Sequence, residues 1–193
     1  MKLLTSALCA FALLFAGASQ ASAAKYDVDA AHAFAVFKVM HLGIAPSYGM
    51  FVKVGGDLDF DPANPAASKL TINIDPGSVF TGNKKRDDHL KGPDFFDVKQ
   101  FTEMKFVSTA WKKTGDNTFE VTGNMTMHGK SVPMTVNVTK TGEGKDPWGN
   151  DRVGMETTFE LDRTAFGIVW GADNGALAKN VSAMISIEFI KQK

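Results

Sequence analysis

Residues 118–139 read TFEVTGNMTMHGKSVPMTVNVT, and the fold follows from this stretch. Phe119, Val121, Gly123, Met125 and Met127 fall on one phase of a two-residue period; Thr118, Glu120, Thr122, Asn124, Thr126 and His128 fall on the other. After Gly129-Lys130 the alternation resumes, with Val132, Met134, Val136 and Val138 against Ser131, Pro133, Thr135, Asn137 and Thr139. Successive strand side chains point to opposite faces, so this is a β-hairpin with one apolar and one wet side. Pro133 lies near a strand start, where its missing N–H is tolerated if it faces outward.

Strand-like runs recur on both sides of the hairpin. Ala33–His41 is apolar on both faces, broken by Lys38. Met50–Phe60 reads as its continuation through a Gly55-Gly56 pair, which predicts a bulge or sharp bend. Leu70, Ile72 and Ile74 alternate with Thr71 and Asn73; Met104, Phe106 and Ser108 alternate with Lys105 and Val107, ending near Trp111. A Gly-rich segment, Thr141–Asn150, reads as a loop leading to Met155, Thr157, Phe159 and Leu161. Val181, Ala183, Ile185, Ile187 and Phe189 close the series. About eight short strands with turn chemistry between them predict an all-β barrel or sandwich. One segment departs from the pattern: Asn83–Lys91, with Asn83 as N-cap and Gly92-Pro93 as stop, reads as a short helix. Asp94-Phe95-Phe96-Asp97 adds a further turn, and the helix is placed to close one end of a barrel.

The chain opens as a secretory leader. Lys2 supplies a positive start, Leu3–Gly17 is apolar, and Ala21-Ser22-Ala23 has the small-x-small form of a cleavage site. Residues 1–23 are therefore expected to be removed, with a cut after Ala24 equally compatible, leaving residues 24–193 as one domain exported to a periplasm. The only cysteine, Cys9, lies inside the leader, so the mature chain has no disulfide, thiolate chemistry or Fe–S ligands. Twenty-one basic residues balance 21 acidic ones, which removes the electrostatic case for nucleic acid or an anionic membrane surface.

Candidate chemistry is sparse. Arg86, Asp87, Asp88 and His89 form the most active-site-like cluster, since a carboxylate beside a histidine can do acid–base work if both reach one pocket. On a helix, however, neighbours diverge, and only positions three or four apart share a face. An enzyme using His89 or His41 with Asp87 or Asp88 requires these groups to converge. The alternative gives Arg86 and Asp87 a structural role, tied to loop backbone. His32, His41, His89 and His128 show no metal-ligand spacing, and neither a nucleophile elbow nor a phosphate loop is present. No cofactor is expected.

The inward Met and Phe residues leave two readings open: a barrel filled by its own side chains, acting as an interaction module, or one holding a small apolar ligand. Periodicity does not separate them. A family likeness does. Asp29-Ala30-Ala31-His32, Phe37-Lys38-Val39-Met40-His41, Gly49-Met50-Phe51, Ser78–Gly82, Arg86-Asp87-Asp88-His89-Leu90, Asp94–Asp97, Phe106–Thr109, Gly123–Gly129 and Arg163–Ile168 occur in that order along the mature chain. The ordered set resembles the YceI-like family, exported or cytosolic proteins that bind polyisoprenoids and related long-chain lipids. Ala33 departs from the usual Ser of that pattern, and Met125 and Met127 from the usual Leu and Ile.

The resemblance implies a lipocalin-like, extended eight-stranded antiparallel β-barrel with a short helix in a connecting loop. It implies that the interior holds an isoprenoid, such as a quinone or polyprenyl lipid, with its polar head near the mouth and no reaction catalysed. The residues then expected on the ligand are Phe37, Val39, Phe51, Ile72, Ile74, Phe106, Met125, Met127, Met134, Val136, Phe159 and Ile185, with Trp148 and Trp170 in loops at the mouth. A homodimer is compatible with an exposed edge or apolar rim, without a specific sign in the sequence.

Overall fold

The computed structural model describes residues 23–193, so the leader expected over residues 1–23 falls outside the described residues except for its last position. Ten strands and one helix follow: β1 (Ala24–His41), β2 (Ala45–Phe51), β3 (Val54–Phe60), β4 (Lys69–Ile74), β5 (Val79–Phe80), α1 (Lys84–Leu90), β6 (Met104–Lys113), β7 (Thr118–Met127), β8 (Lys130–Lys145), β9 (Asp151–Asp162) and β10 (Leu177–Lys191). Neighbouring strands are antiparallel in the order β10-β9-β8-β7-β6-β4-β3-β1, and β1 pairs back onto β10. The result is the closed eight-stranded barrel that the family likeness implies, and it resolves the choice between barrel and sandwich that the alternating pattern left open. Closure leaves none of these eight strands with a free edge along its whole length.

The β7–β8 hairpin has the register the alternation demands, with Val121 opposite Val136 and Met125 opposite Val132. Its two-residue turn is His128-Gly129, both at positive φ (51° and 72°), the conformation that matches the twist of paired strands. Phe119, Val121, Met127, Val136 and Val138 are buried, while Ser131, Pro133, Thr135, Asn137 and Thr139 are exposed.

Two readings of the connecting segments are corrected. Met50–Phe60 is not one bent strand: it breaks at Val52-Lys53 into β2 and β3, which attach to different halves of β1. Beyond a bulge between Val28 and Ala33, β1 leaves β3 and takes β2 as its neighbour, and β5 extends β2 as a flap outside the ring. Gly55 and Gly56 keep unbroken register with β4; Gly56, at φ 138°, serves a close approach in which a Cβ would meet the Thr71 carbonyl. The second correction concerns Thr141–Asn150. Its first half is strand, because β8 runs on to Lys145 against β9 after a bulge between Lys140 and Gly142. With no apolar face to bury there, periodicity carries no strand signal.

The helix is where its caps put it. The Asn83 side chain accepts from the Arg86 N–H at 3.1 Å, satisfying one of the free donors of the first turn. The end of the barrel away from α1 is filled. Phe60, Trp111 and Phe119 meet there with ring centroids 5.6 to 6.1 Å apart, and Leu58, Val121, Val153 and Phe189 complete a fully buried layer.

Candidate functional site: an apolar cavity in the barrel

The half of the barrel nearer α1 is hollow. A cavity of about 200 Å³ is walled by inward positions of β1, β4, β6, β7, β8, β9 and β10, by Phe51 of β2, and by Leu90, Phe95 and Phe96 from α1 and the turns after it. Each wall segment follows from the two-residue period, which sends every second side chain inward. Phe37 and Val39 come from β1, Ile72 and Ile74 from β4, Phe106 from β6, Met125 and Met127 from β7, Met134 and Val136 from β8, Phe159 from β9 and Ile185 from β10. The expected strand residues thus share one chamber. Phe51 bridges the strand wall and the helical end, with its ring 5.5 Å from Phe37 and 5.3 Å, edge-on, from Phe96.

The two loop tryptophans behave differently. Trp148 is 80% exposed in the β8–β9 turn, at the end of the barrel opposite α1, and does not reach the cavity. That position is a correction, and its cause is the unexpected length of β8, which carries the turn beyond the barrel wall. Trp170 lies outside the lining but stands against it, stacked edge-on to His89 at 5.1 Å and tilted on Phe95 at 5.4 Å.

Few polar groups enter the wall. Arg163 is 4% exposed and spends its guanidinium on three backbone carbonyls: Nε donates to Ala178 at 2.9 Å, Nη1 to Ile168 at 2.8 Å and Nη2 to Leu177 at 3.1 Å. Burial pushes its pKa down from the ordinary arginine value. The carbonyls hold the start of β10 against the turn following β9, a structural duty. Thr157, between Met155 and Phe159 on β9, contributes the other inward polar side chain, and its hydroxyl oxygen is shielded from solvent with no hydrogen-bond partner in the protein.

The residues of the acid–base alternative do not converge. Asp87 is buried and accepts from both the Thr81 N–H (2.9 Å) and the Thr81 hydroxyl (2.6 Å), while Arg86 Nε donates to that hydroxyl oxygen at 2.8 Å and Nη2 to the Thr81 carbonyl at 3.0 Å. Asp88 pairs with Lys84 at 2.6 Å on the exposed side, and His41 is exposed at the end of β1. His89 instead meets Asp94, 2.9 Å away, a contact set by the turn after α1. Helical divergence separates Asp87 from His89, as the spacing argument requires. The Asp29, His32 and Glu188 donors cluster closely enough for a cation, but Arg152 already bonds Asp29 at 2.6 Å and Glu188 at 2.9 Å. A guanidinium occupies the charge position a metal would need.

The YceI-like domain model matches residues 26–189, nearly the whole described chain. The protein belongs to the YceI family. A UPF0312 protein of Pseudomonas putida (strain GB-1) is 42% identical over 182 residues, covering 94% of this chain and 93% of that protein. Among solved structures, Burkholderia cenocepacia BcnA superposes with a TM-score of 0.76 at 29% identity, over 83% of this chain and 98% of its own. A polyisoprenoid binding domain from Saccharophagus degradans superposes with a TM-score of 0.66, over 88% of this chain and 99% of that one. At 13% identity this last likeness is one of fold.

Reasoning from strands alone leaves part of this YceI barrel's wall unnamed. Met155, Leu161, Val181, Ala183 and Ile187 share the phase of residues that were singled out, so the same period reaches them. Leu90, Phe95, Phe96 and Ile168 come from a helix end and turns, where no period operates. Their signal is weaker: large apolar residues in segments otherwise rich in charge.

Proposed function

We propose that this protein binds a long-chain isoprenoid, such as a quinone or polyprenyl lipid, in the barrel interior and carries or sequesters it without chemical change. The observation that carries this reading is the cavity wall: apolar side chains from seven strands of the ring and from the helical end enclose one continuous chamber. Burying a methylene releases about 0.8 kcal/mol, so chain length alone supplies the gross driving force, offset in part by immobilisation of the chain. No charged anchor is needed, in keeping with the absence of converging acid and base at Asp87, Asp88, His89 and His41.

The chamber is smaller than the ~300–1,000 Å³ common for ligand pockets. Five methionines, Met104, Met125, Met127, Met134 and Met155, stand in its wall. Their unbranched, polarisable side chains adapt to irregular apolar shapes, which supports a chamber that widens around its guest. Residues 1–23 are read as an export leader and residues 24–193 as the periplasmic binding domain; no helix among the described residues is long and apolar enough to cross a membrane.

Organic extraction of protein purified from the exported fraction, followed by mass spectrometry, tests the reading. Recovery of a stoichiometric isoprenoid, chemically unchanged after incubation, is the expected result. Empty protein that shows no affinity rising with tail length would refute it, and the mass of the intact exported chain reads the cleavage point directly.

A further inference from the structure

Two buried side-chain polar atoms among the described residues have no hydrogen-bond partner, and one of them, Thr157 Oγ1, belongs to the cavity wall. Thr157 stands opposite Ile185 of β10 on one side and Val138 of β8 on the other, and all three line the chamber. Its neighbours along the inward phase are Met155 and Phe159. The hydroxyl therefore sits in a wholly apolar layer. A buried hydroxyl without a partner destabilises the fold, and valine of the same shape removes that penalty. Arg163, the other polar group of the wall, is committed to the Ala178, Ile168 and Leu177 carbonyls and does not serve it.

We propose that Thr157 is the hydrogen-bonding anchor for a single neutral oxygen of the ligand, a hydroxyl or a carbonyl carried into the barrel chamber. The proposal rests on the apolar-ligand reading above and adds to it the orientation and chemical class of the guest. Threonine χ1 wells are staggered about 120° apart, so one rotamer step carries the hydroxyl into a neighbouring staggered position on the same Cβ, the methyl and hydrogen moving round with it, and presents the oxygen to the chamber. Only a neutral oxygen suits this layer, because the wall's cation, Arg163, is committed to backbone carbonyls and an ionised phosphate there carries a prohibitive desolvation cost. The ligand is thus an apolar chain whose oxygen enters first, in contrast to a guest that leaves its polar head at the mouth.

The test uses delipidated mature protein and two matched probes, farnesol and its hydrocarbon counterpart farnesene, titrated by calorimetry. In Thr157→Val, farnesol affinity falls about two- to tenfold, farnesene affinity is unchanged, and Thr157→Ser retains the wild-type preference. Thermal melting of Thr157→Val at or above the wild-type temperature shows that the fold is kept. Equal affinities of wild type and Thr157→Val for farnesol, or parallel losses for both probes, overturn the anchor while leaving the apolar-ligand reading standing. Binding of neither probe by the wild type overturns both.

Discussion

Gly123 shows how one residue shapes the chamber. It occupies an inward position of β7, where a Cβ would lie 2.5 Å from Phe106 Cζ and against the Val107 carbonyl. The missing side chain is what lets the Phe106 ring lie along the wall. Gly123→Val is expected to cost about 1–3 kcal/mol through overpacking, read by urea denaturation, and to weaken ligand binding as the ring is pushed into the cavity. Asp29 supplies a second case. Its pKa is held at about 2, first by the hydrogen bond from Arg152 and then by that from His32. A carboxylate depressed in the folded state stabilises it above the unfolded value, and that contribution fades as pH falls from about 4 towards 2. Melting temperature followed through that window should fall more steeply in the wild type than in Asp29→Asn. Neither role was legible in the sequence, because each depends on a partner from another strand: Phe106 for Gly123, and Arg152, 123 positions away, for Asp29. The inward phase of Thr157 was legible from alternation; the isolation of its hydroxyl was not.

At the scale of elements, legibility tracks burial. The β7–β8 hairpin, β4 and β10 each turn one apolar face into the core against a more polar one, so their period is clean and their register follows from it. Helix α1 was announced by Asn83 and Gly92-Pro93, capping chemistry that acts within a few residues. The Lys140–Lys145 part of β8 and the β2–β3 break were hidden for opposite reasons. The first has no buried face to leave a mark, and the second has apolar residues on both sides of the break. Met127 lies in the clean part of the hairpin, 5% exposed and part of the cavity wall. Met127→Trp should keep the barrel and shorten the tails recovered by extraction, as judged from the mass distribution of bound lipid. An unchanged distribution in a folded variant would place the ligand elsewhere.

For the whole molecule, about eight antiparallel strands were readable as a count and a spacing, and their closure from the family likeness, but which half is full and which is hollow was not. That division depends on where Phe60, Trp111 and Phe119 meet across three strands, information no single run contains. Phe119→Ala, at a site 1% exposed, should cost about 3–5 kcal/mol, measured by chemical denaturation. If the packed layer is also the floor of the chamber, the same variant accepts longer tails than the wild type.

A tube stoppered at one end by three aromatic rings imposes an order of events. Whatever part of a guest goes in first must come out last, and entry and exit share one doorway. A donor and an acceptor therefore cannot be engaged at opposite ends while cargo threads through. Each must dock, exchange and depart in turn, and the half-time of hand-over should grow with acceptor scarcity rather than with any passage through the barrel.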